Sequence, residues 1–176
     1  MHKNDRLSQI ELICHSEYVI MRNGVRLAVS IWHGKEADNQ EYTDKRPAVL
    51  TTTRYWRAMA FEQDNPEYQF YYPFAAYLWA HGYVFVVADA RGTGASFGCR
   101  ESEISPAEVE DMGELIDWVA QQSWCDGRVA TDGRSYTANT ALHSLASGSS
   151  ALKLGVGRAP DFDIYRHLLA PGGPQV

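Results

Sequence analysis

The order of segments along the chain predicts an α/β fold, a mostly parallel sheet opened by an antiparallel hairpin. Three observations carry that prediction. Asn23-Gly24 sits between two β-prone runs, strand-length apolar runs then alternate with helical ones, and a serine is wedged between a strand and a helix. Composition sets the outer limits. At 176 residues the chain amounts to one domain. Its 45% apolar and 22% charged residues are those of an ordinary globular protein, which excludes disordered and collagen-like architectures. Sixteen Lys and Arg against twenty-two Asp and Glu give a net charge of -6, with no basic stripe, so a nucleic-acid backbone is not an expected partner. No run approaches the roughly 18 apolar residues that cross a bilayer, and MHKNDRLSQIELICHSEYVI has no apolar stretch of signal-peptide type. The three cysteines, Cys14, Cys99 and Cys125, are scattered and odd in number, which fits a reduced, cytoplasmic setting with no membrane partner.

Residues 1–16 are polar and weakly patterned and read as a loose arm, with the folded domain spanning 17–176. EYVIMR (17–22) and VRLAVSIW (25–32) flank Asn23-Gly24, whose two residues tolerate the positive φ of a tight hairpin turn. HGKEADNQEYTDKR (33–46) is a charged loop, and PAVLTTT (47–53) has the β-branched density of a buried strand. The aperiodic aromatic and polar stretch 54–67 is long for a connection inside a compact domain, a length usually tied to function.

YQFYYPFAAYLWAHG (68–82) reads as a helix entered through Pro73 and closed at Gly82, leading into the strand YVFVVAD (83–89). A glycine-rich loop, ARGTGASFGCRES, follows. Ser105-Pro106-Ala107-Glu108 is a capping box in sequence form. The helix it opens runs to about Gln122, with Val109, Met112, Ile116 and Val119 on one face and Glu110, Asp111, Glu114 and Asp117 on a solvated one. After a turn at Cys125-Asp126-Gly127 come the strand RVATDG (128–133), a helix from Tyr136 to Gly148, and the strand LKLGVG (152–157). Strands alternating with helices pair in parallel through crossover connections.

Gly133-Arg134-Ser135-Tyr136 leaves no room for a relaxed loop between strand and helix. On such a turn a serine hydroxyl points away from the sheet, and the first free N–H groups of the helix face the same space, where they can hold a developing oxyanion. Taken alone, Gly-x-Ser after a strand is a common accident and reads first as a plain helix-capping serine.

Four segments widen the view: Arg22-Asn23-Gly24-Val25-Arg26-Leu27, the loop Asp89-Ala90-Arg91-Gly92-Thr93-Gly94-Ala95-Ser96-Phe97-Gly98, Trp124-Cys125-Asp126-Gly127, and Gly133-Arg134-Ser135-Tyr136. In order and spacing, with Asp163-Ile164-Tyr165-Arg166 near the end, they resemble the cocaine esterase and X-prolyl dipeptidyl peptidase (CocE/NonD) group of α/β-hydrolases over about residues 17 to 173. The resemblance implies Ser135 as the acyl-forming nucleophile, the backbone N–H of Tyr136 as one oxyanion donor and the hydroxyl of Tyr55 as the second. It also implies a small-molecule ester, amide or peptide substrate and a structural role for the glycine-rich loop. No cofactor and no metal are expected, since no His or Cys pair has ligand spacing. A dinucleotide reading of Gly92, Gly94 and Gly98 fits poorly, because the last glycine is one residue late and Pro106 delays the helix.

Two departures stand out. Ala138 occupies a position where the family has glycine, and Thr131 and Asp132 replace apolar strand residues, with Arg134 or Arg91 as the expected partner of Asp132. The triad order Ser, Asp, His places the other two members on late loops. Six strands are countable here, so the α/β-hydrolase sheet is expected to be cut after its sixth strand, with the triad Asp and His beyond Val176.

The histidines within the chain do not replace that base. His143 lies eight residues up the same helix, roughly 12 Å from Ser135 at about 1.5 Å per residue. His81 precedes its strand and so belongs to the opposite edge of the sheet, while His2, His15 and His33 sit in the arm and hairpin. His167, four residues after Asp163, has the right chain order but reads more simply as solvated surface. A serine hydrolase missing part of its machinery and a non-catalytic interaction module that keeps the fold both remain open. Tyr55, Trp56 and Tyr136 are candidates to line an acyl pocket, and an unpaired last strand is an edge able to join another chain.

Overall fold

A computed structural model describes residues 10–35, 44–58, 70–161, 163, 165–166 and 170–172. Among these residues six strands form one sheet: β1 (Leu12–Ile20), β2 (Arg26–Gly34), β3 (Arg46–Thr53), β4 (Val84–Asp89), β5 (Cys125–Arg134) and β6 (Leu152–Arg158). Their spatial order is β1-β2-β4-β3-β5-β6. β1 pairs with β2 and β2 with β4 antiparallel, and every pairing from β4 to β6 is parallel. The expected α/β-hydrolase sheet with its antiparallel opening is therefore what forms. Among the described residues no helix is long and apolar enough to cross a membrane.

Among the described residues three helices cover the sheet, α1 (Tyr72–Ala80), α2 (Pro106–Ala120) and α3 (Tyr136–His143), the last continued by a short 3-10 segment at Ser144–Ser147. Successive strand residues point to opposite faces, which assigns each helix its side. Phe85 of β4 meets Phe74 and Tyr71 at the start of α1, with ring centroids 5.2 and 5.7 Å apart. Leu50, Thr52 and Thr131 look the other way, toward Met112 of α2 and Thr140 and Ala141 of α3. All six residues of β4 are buried, which explains why VFVVAD shows no alternation. Each fully buried Val or Phe there contributes roughly 1.5–3 kcal/mol.

Several local expectations change. Strand β1 begins at Leu12, so residues 12–16 of the supposed arm are paired with β2, Leu12 lying opposite Gly34. The hairpin closes through three residues rather than two. Met21 N–H donates to Val25 O (2.8 Å) and Gly24 N–H to Met21 O (2.8 Å), and Gly24 takes the positive φ of 79° alone. Asn23 contributes its side chain instead, accepting from the Val25 amide. The capping box at Ser105 and Glu108 is present in both directions.

The acidic face of α2 is only partly solvated. Asp111 is 4% exposed and accepts two 2.6 Å hydrogen bonds from the Arg91 guanidinium. A buried carboxylate is tolerated when a bidentate arginine pairs it. The glycine-rich loop is structural. Its Asp89 carboxylate accepts from the amides of Arg57 (2.8 Å) and Ala95 (2.9 Å), and Ser96 Oγ accepts from Ala28 N–H while donating to Asp89 O.

Candidate active site

Strand β5 ends at Arg134, α3 begins at Tyr136, and Ser135 alone makes the turn, with φ 58° and ψ -127°. A non-glycine residue held there stores about 1–3 kcal/mol of backbone strain. Several bonds impose it. Ser135 N–H donates to Arg158 O at the end of β6 (3.0 Å), and Ser135 O accepts from the amides of Ala138 (2.9 Å) and Asn139 (3.1 Å). Thr137 Oγ1 accepts from Arg134 N–H (2.7 Å) and donates to Arg134 O (2.8 Å). Gly133 is required by contact, because a Cβ there would lie 2.1 Å from the carbonyl carbon and oxygen of Thr137. Ser135 is exposed and makes no capping hydrogen bond, so it is not a capping serine. Its hydroxyl stands at the rim of two clefts.

The first cleft, about 580 Å³, is mostly apolar and is walled by Tyr55, Phe70, Tyr71 and Phe74, with Asp132 and Arg158 at its side. The second, about 900 Å³, is more polar and holds Arg54, Glu103, Arg134, Tyr136, Asn139 and Asp161. Ser135 borders both, so an acyl group and its leaving group could lie on opposite sides of one hydroxyl. Tyr55 lines the first cleft and Tyr136 the second, whereas Trp56 lines neither.

The two residues expected to supply oxyanion donors are neighbours here. Ala138 and Asn139 already bond to Ser135 O, which leaves the N–H groups of Tyr136 and Thr137 without a partner inside the helix. Tyr55 leaves the end of β3 and packs its ring edge-on against Tyr136, centroids 5.9 Å apart. The Tyr136 hydroxyl is turned inward and donates to Glu108 Oε1 (2.9 Å). Burial, with the Glu108 carboxylate adding to it, pushes that phenol far above its ordinary pKa. The side chain of Tyr136 thus anchors the helix start and offers no acid or base to the cleft.

The departures at β5 find different partners from those expected. Asp132 pairs with Arg158 (2.6 Å), not with Arg134 or Arg91. Burial raises the Asp132 pKa against the opposing charge of Arg158. Thr131 Oγ1 lies 3.0 Å from Ala141 O and 3.0 Å from Ser144 Oγ, so the polar strand residue is satisfied by α3 and the segment after it. Ala138 is fully buried.

None of the described histidines serves the turn. His143 Nδ1 is 2.8 Å from Asn139 O, His81 Nδ1 is 2.7 Å from Tyr77 O at the far end of β4, His33 is buried in β2 beside Gly34, and His15 is exposed on β1. His167 and His2 lie outside the described residues. Among the described residues no cluster of His, Cys, Asp and Glu could hold a metal ion.

Sequence reasoning missed the charged side chains around the two tyrosines. Arg54 ion-pairs with Glu103, Arg100 holds both Glu103 (2.8 Å) and Glu108 (3.0 Å), and the Arg54 and Arg100 guanidinium carbons lie 4.8 and 5.4 Å from the Tyr136 ring centroid. These residues come from a loop, a glycine-rich segment and a helix cap, and share no period that could have linked them. The adjacency of Arg54 and Tyr55 was the only signal.

Residues 23–176 match the X-Pro dipeptidyl-peptidase family S15. A Mycobacterium bovis protein assigned as a serine esterase is 32% identical over 174 residues, covering 89% of this chain and 26% of its own length. The cocaine esterase of a Rhodococcus species is 31% identical over 165 residues, covering 88% of this chain and 25% of its own. The crystal structure of a CocE/NonD family hydrolase from Staphylococcus aureus superposes with a TM-score of 0.67 at 25% identity, covering 88% of this chain and 28% of that one. The chain spans about a quarter of the length of the relatives it matches.

Proposed function

The chain belongs to the X-Pro dipeptidyl-peptidase (S15) family, whose relatives include CocE/NonD hydrolases, and we propose that it carries the nucleophile of a serine hydrolase. The bond cleaved is an ester, an amide or an X-prolyl peptide bond. Ser135 Oγ attacks the carbonyl carbon, and its proton passes to a base. The carbonyl oxygen, now an oxyanion, receives hydrogen bonds from the Tyr136 amide and the Tyr55 hydroxyl. Collapse expels the alcohol or amine, and water then hydrolyses the acyl-enzyme. A tyrosine hydroxyl suits the second donor position because it gives one directed hydrogen bond without a charge to bury. The base and its carboxylate partner are assigned to residues outside those described.

The observation that carries the reading is the strained, exposed Ser135 at the meeting of two clefts, with Tyr55 on the wall of one. The free thiols of Cys14, Cys99 and Cys125 are in keeping with a cytoplasmic setting. The test is covalent labelling by a fluorophosphonate, read by mass spectrometry. The expected result is one adduct on Ser135, absent from Ser135→Ala. Folded protein that carries no adduct after prolonged exposure would favour a non-catalytic module with the same fold.

A further inference from the structure

We propose that Arg54 is a positioning residue for the oxyanion hole: anchored on Glu103, its guanidinium donates to the Tyr55 phenol oxygen and leaves the phenol proton to the oxyanion. The inference rests on the roles assigned above to Ser135 and Tyr55. Arg54 Nη2 lies 3.1 Å from the Tyr55 oxygen, and Nη1 of the same fork pairs with Glu103. Glu103 also accepts from Arg100 Nη2 (2.8 Å), Arg100 Nε reaches Glu108 (3.0 Å), and Glu108 accepts from the Tyr136 hydroxyl (2.9 Å). An unbroken chain of charged hydrogen bonds therefore runs from Tyr55 through Arg54, Glu103, Arg100 and Glu108 to Tyr136. Both residues expected to supply oxyanion donors are its ends.

The chemistry follows from the inventory of a phenol, which has one proton and two lone pairs. Arginine can only donate, so its bond consumes a lone pair and the Tyr55 proton must find another acceptor. With Tyr55 43% exposed and lining the first cleft beside Ser135, that acceptor is the oxygen of a bound acyl group. A cationic donor on the phenol oxygen also polarises the O–H bond and strengthens it as a donor. The ring would otherwise depend on its edge contact with Tyr136 for orientation. Two directed N–H groups on one rigid plane, one for Glu103 and one for Tyr55, explain why arginine serves here and lysine would serve less well.

The experiment is the rate of Ser135 phosphonylation in the full chain. In that reaction the Oγ–P bond forms, the P–F bond breaks, fluoride leaves and the hydroxyl proton passes to solvent, while the phosphonyl oxygen occupies the oxyanion hole. Tyr55→Phe is expected to slow labelling by up to about a hundredfold, as for loss of one oxyanion donor, and Arg54→Gln by roughly tenfold. The double variant should label no more slowly than Tyr55→Phe alone, because Arg54 acts only through that hydroxyl. Arg54→Lys should restore part of the loss, and thermal midpoints should stay together, since an exposed ion pair adds little stability. Wild-type labelling by Arg54→Gln, or Arg54→Gln and Tyr55→Phe effects that multiply in the double variant, would overturn the inference while leaving Ser135 as nucleophile. Wild-type labelling by Tyr55→Phe would remove the Tyr55 assignment and the inference with it. An unlabelled wild type would remove all three.

Discussion

Replacing Ser135 by glycine should make the protein more stable, and replacing it by alanine should not. At φ 58° and ψ -127° the Cβ of any L-residue is crowded by its own backbone, at a cost of about 1–3 kcal/mol. Glycine escapes that cost but loses more freedom on folding, an offset of about 0.5–1 kcal/mol. The difference leaves Ser135→Gly more stable than Ser135→Ala by roughly 0.5–2 kcal/mol. Both variants lose the same exposed hydroxyl, which makes no capping hydrogen bond, so the comparison isolates the backbone. For a chain of this length about 1 kcal/mol shifts the midpoint by 2–4 °C. Paired urea and thermal melts of the two variants should therefore separate by a few degrees, glycine higher. Equal midpoints, or alanine above glycine, would mean that the backbone at 135 is relaxed, and the reasoning that ties the turn to a functional serine would fail.

Gly133→Ala should lose more than about 3 kcal/mol or fail to fold, because the new methyl group would meet main-chain atoms of Thr137 that cannot withdraw; soluble yield and urea midpoints report it. Asp132 gives a pH signature. Burial, opposed by Arg158, raises its folded pKa above the unfolded value near about 3.9, so its favourable contribution is full below that value and is lost as pH rises through the folded one. Asp132→Asn should remove that decline, and urea titrations across the acidic range that give parallel curves for the two proteins would contradict it.

The sheet was legible because its signals are local. A turn residue able to take positive φ, a β-branched run and a capping box each act within a few positions, and each appears where it was read. Exceptions arose where a distant partner decides. Leu12–Ser16 close a stretch that is polar and weakly patterned as a whole and so read as part of an arm, yet β2 offers them a ladder. Asp111 looked solvated on helical spacing, but Arg91, twenty residues earlier, reaches over and buries it. At the site, the sharp turn at Ser135 and the neighbouring placement of Tyr55 and Tyr136 could be read from a short pattern and a family likeness, and their roles are those proposed above. The charged chain from Arg54 to Glu108 was not, since it is assembled from three segments that meet only after the sheet has formed.

Arg158 holds the turn at two points. Its carbonyl takes the amide of Ser135, and its guanidinium takes the carboxylate of Asp132. It is also the final residue of β6, a strand that pairs only with β5 among the described residues. Among the described residues this edge ribbon thus works as a latch on a strained, positive-φ serine. Fraying of that ribbon and slackening of the serine would be a single event, so the durability of the Ser135 backbone pose is set at the border of the sheet rather than in its core.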